Sequence, residues 1–367
     1  MKIAIFTREL DEVLGGMEKQ ILEICSYLAK AGHQVVIYTL DEKQPKVFYE
    51  KELIGFSIEN IKTSNPKIGS TLRQKVYRQW KVFRVLKKNK PDIGISFMFG
   101  SFLYSRLPTK LLQIPLVLAE RNSPAIYKLT KIRRMRYFLY LYIGLADAIT
   151  VQFSRYSAQY PTFLQKKMWA IPNAVPKIEE SPSRKSQEII FLFAGRFSFQ
   201  KKVVQLVDAF SEHLQTYPNS KLRIYGSGEK KLEIQTAISA RGIQNNVQIF
   251  APEKNIVDVF RTGDCICVPS IWEGFPNVLA EALSFGIPGI GFSNCDGVSD
   301  LLEDNVNGWL EFDDGSSKSL VRLLNRAAND LSSNNLMAFN CKNSVSKYSQ
   351  NEISNMWNDL IEFVASK

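Results

Sequence analysis

Short apolar runs alternate with amphipathic helical patterns from one end of this chain to the other. The runs occupy residues 2–6, 34–39, 92–97, 116–119, 148–151 and 168–171 in the first half, and 188–196, 221–225, 247–250, 265–268 and 288–291 in the second. Helical patterns fill the intervals, beginning with residues 17–31, after which Gly32 is a natural C-terminal stop. Such alternation is typical of parallel sheets whose strands are joined by right-handed helical crossovers. The sequence therefore predicts an α/β fold.

The alternation is interrupted once, between two regions of similar length. Residues 172–188 (PNAVPKIEESPSRKSQE) are rich in proline, serine and charge, a composition typical of a linker. A chain of 367 residues is also long for a single core. We therefore predict one Rossmann-like domain over residues 1–171, a linker over 172–188 and a second Rossmann-like domain over 189–349. An amphipathic helix is expected in the C-terminal segment, residues 350–367.

Two glutamates lie eight residues apart, in a segment that joins a strand to a helix. The strand is predicted at residues 265–268 and the helix at 276–285, so Glu273 lies on the loop and Glu281 about one turn into the helix. Backbone N–H groups at a helix N-terminus bind anions, and carboxylates accept hydrogen bonds from hydroxyl groups. A nucleotide-sugar offers both kinds of group. The alternative is that Glu273 is a simple loop charge and Glu281 an exposed helix residue.

Five segments together resemble the retaining glycosyltransferases of family 4, and they occur in the order typical of that family. They are LGGMEKQ (14–20), IPNAVP (171–176), FAGRFSFQKK (193–202), the Glu-x7-Glu segment (273–281) and NGWL (307–310). The resemblance implies the GT-B architecture, in which two Rossmann-like domains with parallel sheets face each other across a cleft. It also implies that the first domain binds the acceptor, that the second binds a nucleotide-sugar, and that residues 350–367 cross back to the first domain.

The resemblance assigns the chemistry to Arg196, Lys201 and Glu273. Arg196 and Lys201 follow an apolar strand, at the end where open α/β sheets bind ligands, and the matching family residues clamp the donor diphosphate. Fixed positive charge at that position would stabilise the leaving diphosphate. Lys202 stands where the family usually has glycine, so the sequence leaves the choice between Lys201 and Lys202 open. By the same resemblance, Glu273 is expected to bind donor-sugar hydroxyls and Glu281 the ribose.

Glycines and backbone amides complete the predicted donor site. Gly15 and Gly16 follow the first strand and would let the chain approach phosphate closely, although they also suit a tight strand-to-helix turn. Gly226, Ser227 and Gly228 resemble the nucleotide-base loop of the family, although Gly-Ser-Gly is common in turns. The contacts predicted around the start of the helix that follows Glu273 are Gly274, Phe275, Pro276, Asn277 and Val278, of which the proline offers no N–H.

The first domain lacks the histidine that many family members carry after the strand at residues 92–97, where this chain has Phe97, Met98 and Phe99. Its segment LAERNSP (118–124) instead resembles a subgroup that acts in exopolysaccharide, O-antigen and capsule synthesis. In that subgroup the Glu-Arg-Asn stretch lines the cleft. The acceptor-side candidates are therefore Glu120, Arg121 and Asn122.

Charge is distributed unevenly between the two halves. Residues 1–170 carry 28 Lys and Arg against 13 Asp and Glu, whereas residues 171–367 carry 19 against 23. A strongly basic half indicates an anionic partner. Basic residues beside aromatic ones suit an anionic membrane surface, and solvated faces of amphipathic helices are the alternative. The membrane-contact candidates are Arg73, Lys81, Arg84, Lys88, Arg133, Arg134 and Arg136.

No nucleic-acid partner is expected, because no helix-turn-helix, RNA-binding or zinc-finger signature accompanies the charge. No cofactor and no metal site are expected either, since the sequence shows no Asp-x-Asp at a strand end and basic side chains can replace the charge of a divalent ion. Cys265 and Cys267 alternate along a predicted strand and are expected to be packed thiols. Without a signal peptide, a membrane span or a disulfide pattern, we expect a cytoplasmic protein, peripheral on the inner face of the membrane.

The favoured function is a retaining hexosyltransferase. It would move a hexose or N-acetylhexosamine from a nucleotide-sugar, UDP-linked by preference, to a polyprenyl-diphosphate glycan in bacterial surface polysaccharide synthesis. Two alternatives remain open at this point. One is a nucleotide-sugar epimerase of the same fold, which would need acid and base residues in the cleft. The other is an inactive protein that binds a glycan or nucleic acid through its basic half.

Overall fold

The computed structural model describes residues 1–8, 10, 16–40, 55–61, 71–182, 188–331 and 336–367. The chain folds into two compact units. Unit 1 contains Met1–Asn173 together with Asn351–Lys367, and unit 2 contains Ala174–Gln350. Unit 1 is therefore built from two separate stretches of chain.

Unit 1 is built around a seven-stranded, fully parallel sheet in the order β3-β2-β1-β4-β5-β6-β7. Its strands are β1 (Lys2–Thr7), β2 (Gln34–Thr39), β3 (Phe56–Asn60), β4 (Ile93–Phe97), β5 (Leu116–Ala119), β6 (Ala148–Val151) and β7 (Met168–Ala170). Its helices are α1 (Gly16–Lys30), α2 (Thr71–Asn89), α3 (Met98–Leu111), α4 (Ile126–Leu129), α5 (Arg136–Ile143), α6 (Ser154–Ser157) and α7 (Thr162–Gln165). A 3-10 helix, Lys131–Met135, precedes α5.

Unit 2 has a six-stranded parallel sheet in the order β10-β9-β8-β11-β12-β13. Its strands are β8 (Ile190–Ala194), β9 (Lys221–Tyr225), β10 (Val247–Phe250), β11 (Cys265–Val268), β12 (Gly289–Phe292) and β13 (Gly308–Glu311). Its helices are α8 (Val203–His213), α9 (Lys231–Ala240), α10 (Ile256–Phe260), α11 (Asn277–Phe285), α12 (Val298–Leu301), α13 (Ser317–Leu331) and α14 (Leu336–Val345). This is the doubly wound order, in which ligands bind at the carboxyl ends of the two central strands.

The last helix, α15 (Gln350–Ala365), packs in unit 1 along almost its whole length. Its buried face consists of Ile353, Trp357, Leu360, Ile361 and Val364, at the three- and four-residue spacing of one helix face. The Trp357 ring lies 6.2 Å from the ring of Phe97, at the carboxyl end of β4. The C-terminal helix thus completes the core of the N-terminal unit.

The predicted fold class, α/β with two Rossmann-like parts and parallel sheets, is confirmed. Two strands were missed. The edge strand β3 alternates half-buried and exposed side chains, so it lacks a continuous apolar run, and β13 contains most of the family-like segment NGWL, for which the sequence predicts no strand. In α2, Val76 and Trp80 are exposed, and Val82 and Leu86 supply the buried side.

Candidate functional site

The loop after β8 carries the predicted basic residues of unit 2. Arg196 is exposed two residues beyond the end of the strand. A 3-10 turn, Phe199–Lys201, then leads into α8 and is tied to the loop after β11. Gln200 Nε2 donates to the carbonyl of Trp272 at 2.6 Å, and the backbone N–H of Ile271 donates to the carbonyl of Gln200 at 2.9 Å. The two loops are therefore fixed against each other.

These hydrogen bonds place Lys201 beside Glu273. Lys201 Nζ lies 2.6 Å from Glu273 Oε1, and the two side chains are 23% and 9% exposed. The two residues come from the loops after β8 and β11, which are neighbours at the point where the strand order reverses. Because little water screens this pair, its attraction is stronger than that of a surface ion pair. The structure thus brings a cation and a carboxylate together at the ligand-binding edge of the sheet.

The loop after β12 supports Glu273 from the other side. The backbone N–H of Glu273 donates to the carbonyl of Asp296 at 3.2 Å. Gly297 has φ +79°, and a Cβ at that position would lie 2.9 Å from the carbonyl oxygen of Glu273. Only glycine suits this backbone conformation and this close approach. Burial raises the pKa of the neighbouring Cys295 thiol, the charge of Glu273 raises it further, and Lys201 opposes the shift.

Lys202 points to a different partner from Lys201. Its Nζ lies 2.5 Å from Asp313 Oδ2 and 5.1 Å from the centre of the Phe292 ring. Its backbone has φ +49°, in the left-handed region that favours glycine. That conformation gives a physical reason for the glycine that the related family usually has at this position. The side-chain geometry favours Lys201, rather than Lys202, as the lysine that faces Glu273.

Helix α11 carries the second glutamate. Glu281 is 8% exposed, in the second turn of the helix. The first N–H groups that bond within the helix belong to Leu279 and Ala280, and both donate to the carbonyl of Pro276. The helix is predicted to begin at Pro276, but in the structure Pro276 is the N-cap residue. Gly274, Phe275 and Pro276 are buried, whereas Asn277 and Val278 are half-buried.

Phe275 has a packing role that the sequence did not indicate. Its ring stands perpendicular to that of Tyr348, with ring centres 5.6 Å apart. The contact anchors the start of α11 to the chain that leads into α15. The contact between the backbone of Phe275 and the donor stays a prediction.

The Gly-Ser-Gly loop follows β9, next to the loop that carries Arg196. Phe197 N–H donates to the carbonyl of Ser227 at 2.8 Å. A Cβ at Gly226 would lie 2.0 Å from the carbonyl oxygen of Gly195, and one at Gly228 would lie 2.5 Å from that of Phe197. Close packing of two loops is thus sufficient to explain both glycines. Their predicted contact with the nucleotide base stays a prediction.

The acceptor-side candidates of unit 1 follow β5. Glu120 is buried, and the hydroxyl of Tyr127 donates to its Oε2 at 2.6 Å. Burial raises the pKa of Glu120, and the hydrogen bond from Tyr127 opposes that shift. Arg121 Nη1 donates to the carbonyl of Ile171 at 2.9 Å, and its guanidinium lies 5.2 Å from the ring centre of Trp357.

These contacts connect Glu120 and Arg121 to other residues of unit 1. Arg121 joins the carboxyl end of β5 to the end of β7 and to α15, and burial lowers its pKa. Asn122 is half-buried, and its Nδ2 lies 3.9 Å from Met98 Sδ. Glu120 is therefore enclosed within unit 1, whereas Arg121 and Asn122 are both half-buried.

The predicted membrane-contact residues occupy two segments of unit 1. In α2, Arg73, Arg84 and Lys88 are exposed and Lys81 is half-buried. Before and at the start of α5, Arg133 and Arg134 are exposed and Arg136 is half-buried. Within the described parts of the chain, no helix is long and apolar enough to cross a membrane.

The remaining predictions concern the first glycine pair and the cysteines of β11. Gly16 begins α1, whereas Gly15 lies outside the described residues. Cys265 and Cys267 are buried thiols in β11. Among the residues that the structure describes, no three His, Cys, Asp or Glu side chains are grouped so as to hold a metal ion.

Sequence reasoning missed Asp313, Asp296 and Gly297, which position the two lysines and Glu273. Both loops contain Asp followed by Gly after a strand, in NCDG (294–297) and DDG (313–315). This pattern indicates a turn, but it does not indicate which loop the turn packs against.

Two family models match the chain. The model "Glycosyltransferase Family 4" matches residues 14–176, and the model "Glycosyl transferases group 1" matches residues 175–343. Each match coincides with most of one unit. The second match contains Arg196, Lys201, Glu273 and Glu281.

Two characterised proteins illustrate the similarity. The Campylobacter jejuni GalNAc-alpha-(1->4)-GalNAc-alpha-(1->3)-diNAcBac-PP-undecaprenol alpha-1,4-N-acetyl-D-galactosaminyltransferase is 26% identical over 368 residues, which are 98% of each chain. The Escherichia coli UDP-Gal:alpha-D-GlcNAc-diphosphoundecaprenol alpha-1,3-galactosyltransferase is 24% identical over 290 residues, 72% of this chain and 73% of that protein.

A solved structure extends the similarity to the fold. Anabaena HepE, in complex with UDP and glucose, has a TM-score of 0.81 and 17% identity, with 100% of each chain covered. At this identity the likeness shows a shared fold and nothing about ligands.

Proposed function

This chain belongs to the family 4 glycosyltransferases, and we propose that it is a retaining, metal-independent hexosyltransferase. The family 4 model and the group 1 model together match residues 14–343. The enzyme's donor is a UDP-linked hexose or N-acetylhexosamine. Its acceptor is a glycan on a polyprenyl diphosphate, in the synthesis of a bacterial surface polysaccharide. One observation carries the proposal: Lys201 and Glu273 lie 2.6 Å apart at the carboxyl ends of β8 and β11.

The arrangement in unit 2 suits a nucleotide-sugar. Lys201 and the exposed Arg196 supply positive charge for the diphosphate, whose charge grows as the bond to the anomeric carbon breaks. Glu273 accepts hydrogen bonds from sugar hydroxyls, and Glu281 from the ribose. The N-terminus of α11 adds backbone N–H donors and a favourable dipole. Two basic side chains and a helix terminus can meet the charge of the diphosphate without a divalent ion or another cofactor.

The relatives support the choice of donor, acceptor and stereochemistry. The Escherichia coli protein is named for a UDP-Gal donor and an alpha-1,3 product, and both relatives are named for undecaprenol-linked acceptors. The galactose of UDP-Gal is itself α-linked to phosphate, so an α product corresponds to retention. A retaining transfer can proceed on one face of the sugar, with the leaving phosphate accepting the proton of the incoming hydroxyl. That route agrees with a first unit that offers no histidine after β4.

A lipid-linked acceptor places the enzyme at the inner face of the membrane. The exposed residues Arg73, Arg84, Lys88, Arg133 and Arg134 can contact anionic headgroups there. Each basic residue near such a surface contributes about 1 kcal/mol, so a few of them support reversible attachment.

The experiment is a transfer assay with a panel of nucleotide-sugars and polyprenyl-diphosphate glycans, in the presence of a chelator. We expect a UDP-sugar to be used and the product anomer, read by NMR, to match the donor. Arg196→Ala and Lys201→Ala should each lower turnover by about 10² to 10³. Arg241→Ala is the matched control, since Arg241 is paired with Asp208 at the end of α9.

Three results would contradict the proposal. An inverted product would exclude retention, and complete loss of activity in the chelator that Mg²⁺ restores would exclude the metal-independent mechanism. Normal turnover in both Arg196→Ala and Lys201→Ala would show that these side chains do not bind the diphosphate.

A further inference from the structure

An exposed apolar surface runs along α5 in unit 1. Phe138 and Leu141 are 73% and 63% exposed, and Leu145, just beyond the helix, is also exposed. Their spacing of three and four residues places them on one helix face. Phe163 continues this face, because its Cε2 atom would lie 3.1 Å from a Cβ built on Gly144. We call these four side chains the α5 strip.

Helix α3 extends the strip. Tyr142 of α5 donates its hydroxyl to the carbonyl of Leu103 at 3.2 Å, and its ring packs against Phe102 with ring centres 5.6 Å apart. Leu107 and Leu111 follow Leu103 at intervals of one turn, and both are exposed. Contiguous exposed apolar surface on a folded domain indicates an interaction site.

Exposed cations lie near the strip in the sequence. Lys110 is on α3, Lys128 is on α4, and Arg133 and Arg134 are on the segment between α4 and α5. Between residues 93 and 146 the only acidic side chain in the sequence is Glu120, which is buried against Tyr127. Asp147, two residues beyond Leu145, is paired with Arg106 at 3.2 Å, so its charge is compensated within unit 1. An apolar face with exposed cations nearby, on a stretch whose carboxylates are buried or paired, is complementary to anionic lipid.

Helix α2 differs from the strip, although it is as basic. The guanidinium of Arg84 lies 4.9 Å from the ring centre of Trp80, and Lys81 Nζ lies 5.6 Å from that of Tyr77. Two of its aromatic faces are therefore covered by its own cations. In the α5 strip the nearby cation Arg136 stacks on Tyr137, and Phe138 is left 73% exposed.

We infer that the α5 strip is a membrane-insertion element. Its apolar side chains enter the acyl border of an anionic bilayer, and the cations of α2 and of residues 133–136 hold the headgroups. The inference rests on the proposed function only in that a polyprenyl-linked acceptor lies in such a bilayer. It predicts two separable components of binding: one that salt screens, and one that salt leaves intact.

The test is co-sedimentation of the full chain with vesicles of phosphatidylglycerol and phosphatidylcholine, at low and at high salt, without donor or acceptor. Phe138→Ser/Leu141→Ser should weaken binding at both salt concentrations, by about tenfold or more, since each side chain would otherwise leave water. Arg133→Ser/Arg134→Ser should weaken binding mainly at low salt. The matched control is Leu232→Ser/Phe339→Ser, two equally exposed apolar residues of unit 2.

Circular dichroism and thermal unfolding, measured in parallel, show whether each variant is folded, independently of any activity. Unchanged vesicle binding by Phe138→Ser/Leu141→Ser would overturn the inference. So would a wild-type protein that ignores vesicles but sediments as a dimer that the same double variant converts to monomer, because the strip would then bind a second copy. Vesicle binding without any glycosyl transfer would contradict the proposed function and leave the insertion element supported.

Discussion

The ammonium of Lys201 and the carboxylate of Glu273 lie 2.6 Å apart. If Lys201 binds the donor diphosphate, as we propose, that diphosphate would compete with the carboxylate. Glu273 would then have two opposite effects: it would repel the diphosphate, yet its oxygens would accept hydrogen bonds from sugar hydroxyls. Free UDP would experience only the first effect, whereas UDP-sugar would experience both.

This competition gives a prediction for Glu273→Gln. Removal of the charge should tighten the binding of UDP by about tenfold, or 1.4 kcal/mol. Turnover with UDP-sugar should fall by about 10² to 10³, because sugar recognition is lost while the lysine stays in place. Calorimetric titration with UDP and initial-rate measurements would check the two effects separately.

Glu281→Gln is the matched control, since Glu281 is buried to the same degree as Glu273. As the proposed ribose ligand it should weaken UDP binding, so the two variants shift UDP affinity in opposite directions. Weaker UDP binding in both variants would rule out competition between Glu273 and the diphosphate.

At the scale of elements, the turn between β8 and α8 separates the roles of two adjacent lysines. Lys202 Nζ is engaged by Asp313 and by the Phe292 ring, and its backbone is left-handed. Lys202→Gly suits that backbone but loses the ion pair. We expect turnover to change by less than about tenfold, whereas Lys201→Gly should cost about 10² to 10³. Single-turnover rates of the two glycine variants make the comparison, and an equal loss in both would show that Lys202 also contacts the diphosphate.

The elements also show what the sequence could predict. Strands β2, β5, β6 and β11 match their predicted bounds because each is an apolar run that is mostly buried. The bounds of β9 and β10 also match, although these two outermost strands at one side of their sheet keep half-buried or exposed side chains. Strand β3 was not predicted, because the side chains on one of its faces are exposed. In α2, Arg84 and Lys81 lie over aromatic rings and Trp80 is exposed, so an aromatic residue in a helical pattern does not by itself mark the buried face.

The candidate site was predictable to the same extent. Arg196, Lys201 and Glu273 are named by the resemblance to family 4, and their positions after apolar strands agree with it, because parallel strands align their carboxyl ends. The partner of Lys202 could not be named, because Asp313 lies 111 residues along the chain and only the sheet order brings it near. The neighbours of Glu120 and Arg121 could not be predicted either, since Tyr127 and Trp357 reach them only through tertiary packing.

At the scale of the whole molecule, segments that fold together are not always neighbours in the sequence. Unit 1 needs the last seventeen residues of the sequence, whereas unit 2 is formed by one continuous stretch. Each unit has its own sheet and its own buried tryptophan, Trp357 in unit 1 and Trp309 in unit 2, and neither tryptophan is exposed. A destabilising substitution near the C-terminus should therefore lower the stability of residues 1–173.

We predict that Trp357→Ala lowers the unfolding free energy of unit 1 by about 3 to 5 kcal/mol, the cost of emptying a large core position. Hydrogen exchange read by mass spectrometry should then show faster exchange in Met1–Asn173, with Ala174–Gln350 nearly unchanged. Trp309→Ala is the matched control and should produce the reverse pattern. UDP at a hundredfold excess over its Kd should add about 2.7 kcal/mol to unit 2, because Arg196, Lys201 and Glu281, the charged residues proposed to bind it, lie there. If Trp357→Ala accelerated exchange equally in both stretches, the two units would unfold as one body, and UDP would then protect the whole chain.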